Sequence, residues 1–368
     1  MRVLAIAPWF PSRKRPGAGV FAERDAELLN RDHDVTVIHL ADPDDLAPDE
    51  PREVETGSGL RIIRAAYRPY HPGEMRDAVR LIRAELRSAE VIHTMAMHSL
   101  VPARLARPSV PWVHTEHWSA LLDRPSSAKK RLGRWLYRSS LKAPGAVIAV
   151  GQDLAHAIER VRRREVPVIG NHVPVGHTHS LPTSPEERGS APLRLIAIGG
   201  LIDRKGPLQA IEAVSALRTR GIVATLDWVG NGPLEAAVHD RIDALDLNRS
   251  VSLLGQMSPQ RIPELLRQAH LFVLPTSVET FGVAFAEALG QGLPVVATGR
   301  GGHLDFLPSS ASRVVSTRTG EAIADAIVSL STDPHRWSAS RILEYAGDRF
   351  SDERRREAYA EIYRSLLS

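Results

Sequence analysis

Residues 271–302 read LFVLPTSVETFGVAFAEALGQGLPVVATGRGG, and the fold of the chain follows from how this stretch is divided. Four apolar residues, 271–274, have the length and β-rich character of a buried strand. Pro275 to Gly282 interrupts them, VAFAEALG then runs with helical spacing from Val283, and a second short β-branched run follows at 295–297. Strand, loop, helix and strand in so few residues is the unit of a parallel sheet covered by helices. Ligands of such sheets gather beyond the carboxyl ends of the strands, where Glu279 and the turn Thr280-Phe281-Gly282 fall.

The same alternation extends in both directions. Downstream of a break it gives strands at 193–198, 224–229, 251–254, 271–274 and 295–297. Upstream it gives strands at 3–7, 35–39, 60–65, 91–94, 110–114 and 147–150, with helices such as 20–29 and 75–86 between them. The break is HVPVGHTHSLPTSPEERGSAP, residues 172–192, proline-rich and without period. The expectation is an α/β protein of two Rossmann-like doubly wound domains, residues 1–175 and 192–350, facing each other across a cleft. Residues 351–368 place Tyr359, Ile362, Tyr363, Leu366 and Leu367 on one helical face, which is expected to pack back on the first domain.

Composition narrows the function. With 368 residues, 43% of them hydrophobic and 24% charged, both domains have material for a core. A formal net charge of +4 is too mild and scattered to indicate nucleic acid, and suits an acidic or phosphorylated ligand. The absence of Cys rules out disulfides, thiolate metal sites and thiol redox chemistry, and fits a reducing compartment. The N-terminal MRVLAIAPWF is too short for a signal peptide core, and no segment is long and apolar enough to span a bilayer, so a cytoplasmic protein is expected.

Within 271–302, amides at a helix start and the helix dipole make an anion site, and Gly282 allows close approach to the chain. Glu279 then lies beside whatever the anion carries. Glu287, eight positions further on, has the acceptor pair that suits a vicinal diol. The plain alternative is that Glu287 is a solvated helix residue and Glu279 a partner of the dipole. Gly17 and Gly19 open the first helix of the first domain beside Arg13, Lys14 and Arg15, and VPWVHTEHWSALL supplies His114, Glu116, His117 and Trp118 after a strand. A metal site from His114, His117 and His93 or His98 would lack Cys support, and none is expected. The stretch Lys129, Lys130, Arg131, Arg134, Trp135, Tyr137, Arg138 and Lys142 reads either as a basic amphipathic helix resting on an anionic membrane or as an outer helix with Trp and Leu in the core.

Gly230-Asn231-Gly232-Pro233-Leu234 after one strand, Leu254-Gly255 after the next, Glu279 to Glu287, and Gly301-Gly302 together resemble glycosyltransferase family 4, retaining enzymes of the GT-B fold. The resemblance covers nearly the whole chain and is densest over 193–307. It implies transfer of a hexosyl or N-acetylhexosaminyl group from a nucleoside diphosphate sugar to an acceptor hydroxyl of a glycan, glycolipid or small-molecule natural product, with no metal or other cofactor. It implies a donor site at Gly19, Gly200, Arg204, Lys205, Gly230, Asn231, Gly232, Glu279, Thr280, Phe281, Gly282 and Glu287. Of these, Lys205 would neutralise the leaving phosphate and Glu279 would contact the donor sugar. His117 would reach toward the anomeric carbon, His114 being a packed strand residue. The family usually has Arg where this chain has Gly200, and Arg204 is a candidate substitute. Two alternatives stay open: a nucleotide-sugar-binding subunit without catalysis, and a GT-B-like nucleotide-sugar epimerase.

Overall fold

The structure, a computed structural model, describes residues 1–118, 121–122, 128–176, 189 and 191–367, with side chains at 128–132 and 134 outside the description. The chain divides into two compact units, residues 1–172 with 352–368, and residues 173–351.

The first unit is built on a seven-stranded sheet. Its strands are β1 (Arg2–Ala7), β2 (Asp34–Ala41), β3 (Glu53–Glu55), β4 (Arg61–Ala66), β5 (Val91–Met95), β6 (Trp112–Glu116) and β7 (Ala146–Ala149), in the order β3-β4-β2-β1-β5-β6-β7. All pairs are parallel except the short edge pair β3 with β4. Val3, Ala5, Val35, Val37, Val91, Val113 and Ile148 share one core, and Leu4, Ile6, Ile38 and Ile92 between or beside them are buried as well, which is why these strands read as nearly continuous apolar runs rather than alternating ones. Setting the edge strand β3 aside, the order is that of the nucleotide-binding Rossmann sheet, with its reversal between β1 and β5.

The second unit repeats that order with six parallel strands: β8 (Leu193–Ile198), β9 (Ala224–Val229), β10 (Val251–Gly255), β11 (Leu271–Leu274), β13 (Val295–Thr298) and β15 (Ser312–Val315), arranged β10-β9-β8-β11-β13-β15. Its reversal falls between β8 and β11. A separate two-residue pair, β12 (Val278–Glu279) with β14 (Arg300–Gly301), sits in the loops that leave β11 and β13.

The helix Asp352–Leu367 belongs to the first unit. Tyr359 and Tyr363 are fully buried in its core, and Ile362 and Leu366 pack against it. Leu367, expected on the same face, is 51% exposed, because the last turn runs past the edge of that core. The helix is also held by charge: the Arg355 guanidinium donates to Asp25, Tyr359 Oη donates to Asp25 Oδ2 at 3.0 Å, and Arg31 Nη1 lies 2.7 Å from Asp352. Most of the 172–192 break, residues 177–188 and 190, lies outside the described residues. Among the described residues no helix is long and apolar enough to cross a membrane.

Candidate active site

The loops leaving β8 and β11 meet at the reversal point of the second sheet. After β8 the chain turns through Gly199 and Gly200 into a single 3-10 turn, Asp203–Lys205. The stem of Lys205 lies over Gly199, where an added Cβ would stand 3.3 Å from its Cγ and Cδ. Three hydrogen bonds tie this loop to the one after β11: the Ser277 amide donates to Arg204 O at 2.8 Å, and Arg318 bridges the two by donating from Nε to Pro275 O and from Nη2 to Asp203 O, at 2.9 and 2.6 Å. So held, Lys205 Nζ is 2.5 Å from Glu279 Oε1, and the same oxygen accepts from Thr276 Oγ1 at 2.8 Å.

Both charges are largely out of water, the Lys205 side chain 16% and the Glu279 side chain 8% exposed. Burial alone would push the Glu279 carboxyl up. The Lys205 ammonium, the hydrogen bonds from Lys205 and Thr276, and the charge of Arg204 outweigh it and hold the carboxyl below its ordinary value. Glu279 is therefore a carboxylate at neutral pH.

Glycines set the backbone around it. Gly301 pairs with Glu279 across β12 and β14 at φ 119°, and an added Cβ would strike the Glu279 backbone; one at Gly302 would strike Thr280 O. Gly282 caps the helix Val283–Gly290 at φ 90°, its missing Cβ facing His303 Cβ at 2.7 Å. His303, stacked on Phe285, fills the side where a Cβ would stand, a packing reason for glycine at this position. Phe281 buries its ring against Phe306 and Phe350. Gly230 and Gly232 pack on Gly199 and Leu201, and Asn231 O accepts from the Leu201 amide at 3.0 Å. Gly200 is different: an added Cβ would make an ordinary 3.4 Å contact with Asn231 O, so its bareness is not demanded by packing. Glu287 is half-buried on the helix that begins at Val283.

Gly19 and His117 belong to the first unit. Gly19 caps the helix Val20–Asn30 at φ 69°, and an added Cβ would meet the backbone of Trp9 and Phe10, so packing within the chain by itself requires glycine here. His117 follows β6 with its ring 4.4 Å from Phe21. Its two ring nitrogens are buried without a well-formed hydrogen bond, and Asn171 is the polar side chain beside it. Burial, reinforced by His114, His93 and Arg355, lowers its pKa to about 3, so the ring is neutral. The other histidines of this stretch are engaged: His93 contacts Tyr363 Oη and Thr115 Oγ1, each at 2.7 Å, and His114 contacts Thr94 Oγ1 at 2.9 Å and Glu116 Oε2 at 3.2 Å. Among the described residues no group of three or more His, Asp or Glu is arranged to hold a metal ion. Thr276 and Arg318 were not singled out by sequence; only their tertiary contacts reveal them.

The helix Ala128–Ser140 exposes Trp135 (64%) and Leu136 (49%) and buries Tyr137. This corrects the reading that places its Trp in the core, because Tyr137 takes the inward position. The side chains of Lys129, Lys130, Arg131 and Arg134 lie outside the described residues.

Known proteins agree with this architecture. The structure superimposes on the sucrose-phosphate synthase of Thermosynechococcus elongatus with a TM-score of 0.79 at 19% identity, covering 100% of this chain and 99% of that one. It matches Anabaena Alr3699/HepE, solved in complex with UDP and glucose, with a TM-score of 0.78 at 19% identity over the full length of both. In sequence it is 25% identical to the glycosyltransferase TuaC of Bacillus subtilis (strain 168), named for teichuronic acid biosynthesis, over 89% of this chain and 88% of that protein. Two Rossmann-order sheets in one chain make the GT-B fold that these solved structures share. The model for glycosyl transferases group 1 matches residues 185–349 and that for the glycosyl transferase 4-like domain matches residues 16–172, and the chain belongs to the group 1 glycosyltransferases.

Proposed function

We propose that this enzyme transfers a hexosyl or N-acetylhexosaminyl group from a nucleoside diphosphate sugar to an acceptor hydroxyl with retention of configuration, needing no metal ion. The observation that carries the reading is the Lys205–Glu279 pair at the reversal point of the second sheet. An ammonium has three N–H donors. Glu279 takes one, and the others suit the oxygens of a diphosphate whose charge grows as the glycosidic bond breaks. The amides at the start of the helix Val283–Gly290 add a second, fixed positive pole for that diphosphate. Because Lys205 is pre-placed, it stabilises the developing charge without reorganising. Glu279 then faces the sugar, Glu287 accepts from ribose hydroxyls, and neutral His117 offers a ring nitrogen to the sugar near its reacting carbon. The leaving phosphate is the base that takes the acceptor's proton, on the face it departs from.

The exposed Trp135 and Leu136, within a helix whose sequence carries five Lys and Arg, with Lys142 just beyond its end, support peripheral contact with an anionic bilayer at the cytoplasmic face. The neighbours solved with UDP and with UDP-glucose make these the probes to test first. Calorimetric binding of UDP or another nucleoside diphosphate is expected to persist in EDTA and to weaken in Glu287→Ala with the fold intact. Binding that vanishes on chelation and returns with a divalent ion would overturn the metal-free reading; unchanged affinity in Glu287→Ala would return Glu287 to a solvated helix position.

A further inference from the structure

His117 gains little orientation from its own polar contacts, and what fixes it is the residue before it in sequence. The Glu116 carboxylate is fully buried at the end of β6. Its Oε1 accepts from the His117 amide at 2.9 Å and from the Trp118 amide at 2.7 Å. Its Oε2 accepts from Tyr137 Oη, on the helix Ala128–Ser140, and contacts His114 Nε2 at 3.2 Å. Behind His114 the chain of contacts continues through Thr94 Oγ1 to Trp112 Nε1, at 2.9 and 2.8 Å. Four partners for one carboxyl group match its hydrogen-bonding capacity, which a fully buried polar group requires.

We propose that Glu116 is a positioning residue: by taking both amides of the turn after β6 it sets the directions of His117, against Phe21, and of Trp118, whose ring lies 5.6 Å from His98. This deepens the reading of His117 as a sugar-facing residue and rests on it only for its purpose. The clamp itself is testable without substrate. Bonds to the backbone fix a turn more firmly than contacts to a mobile ring, and a carboxylate anchored at its far oxygen by Tyr137 and His114 cannot follow the turn if it drifts.

The full-length protein labelled at histidine, with His117→Ala to identify the signal, reports the ring by NMR. In the wild type the His117 resonance is expected to be displaced by the Phe21 ring and not to titrate around neutral pH. Glu116→Met fills the space but accepts no amide; it should lose that displacement and bring His117 into titration, while His93, held by Tyr363 and Thr115, keeps its wild-type signal. Glu116→Gln retains a carbonyl oxygen for both amides and should restore the His117 signal. An unchanged His117 signal in folded Glu116→Met, or its loss in Glu116→Gln while that of His93 is kept, overturns the proposal. If Glu116→Met does not fold, hydrogen exchange in the wild type decides: protected His117 and Trp118 amides support the clamp, and exchange at free-loop rates refutes it. Turnover of His117→Ala, measured separately, tests whether the ring so positioned serves the reaction.

Discussion

Lys205 and Glu279 are each tolerable in their buried setting because of the other. Removing the ammonium leaves a carboxylate whose burial then raises its pKa, held back only by Thr276 and the more distant Arg204. In the wild type the carboxyl lies below its ordinary value of 4.5, so the pair's contribution is present above that pH and is lost as pH falls through the lower folded value. In Lys205→Ala the sign reverses: a raised folded pKa means stability falls as pH rises. Lys205→Ala is therefore expected to melt below the wild type at neutral pH, by at most about 3 kcal/mol since Lys205 keeps some contact with water, and the gap should narrow as the pH is lowered toward about 5. Thermal melts across that range check it; a gap that widens on acidification would mean that Glu279 does not depend on Lys205.

Short elements carry much of the precision around this pair. β12 and β14 are two residues each, and their pairing exists because Gly301 lets one backbone lie against the other. Gly301→Ala combines a strained positive φ with a backbone collision, and a loss of at least about 1–3 kcal/mol, with weakened nucleotide binding, is expected. Gly347 gives the contrast. It sits exposed within the helix Ala339–Arg349 with nothing near an added Cβ, so Gly347→Ala should stabilise by about 0.5–1 kcal/mol and leave binding unchanged. Melting temperatures of the two variants test this directly. The same elements mark how far the sequence could be read. The strands at 193–198, 224–229 and 271–274 stand where their apolar, β-branched runs place them, since burial on both faces leaves a strong signal. β12 and β14 are too short to hold a period, β15 reads SRVV with a charged Arg313, and β3 is a polar edge, so none announces itself. Lys205 and Glu279, singled out separately by motif, lie 74 positions apart and touch; the Tyr137–Glu116 bond joins positions 21 apart with no motif to suggest it.

At the scale of the molecule, the chain leaves its first unit at His172 and returns to it at Asp352, and the returning helix is an integral part of that unit's core. The Arg355–Asp25 pair, 7% and 1% exposed, is its polar anchor. Arg355→Ala leaves Asp25 charged and buried with Tyr359 as its remaining donor, and a loss of about 3–5 kcal/mol is expected, partly recovered by adding Asp25→Asn. Chemical denaturation of the single and double variants measures it, and additive losses would contradict the pairing. The same fold places the β8 and β11 loops together at a sheet reversal, and from this follows the claim that Lys205 carries the leaving charge. Its most direct test is turnover of Lys205→Ala, Arg204→Ala and the double variant with the sugar donor that most stabilises the wild type. Lys205→Ala is expected to lose about a hundredfold or more in kcat, about 2.7 kcal/mol, with a much smaller change in donor binding, while Arg204→Ala stays close to the wild type. A Lys205→Ala enzyme that turns over normally, beside an Arg204→Ala enzyme that does not, would place the charge one residue earlier in the loop and contradict the assignment.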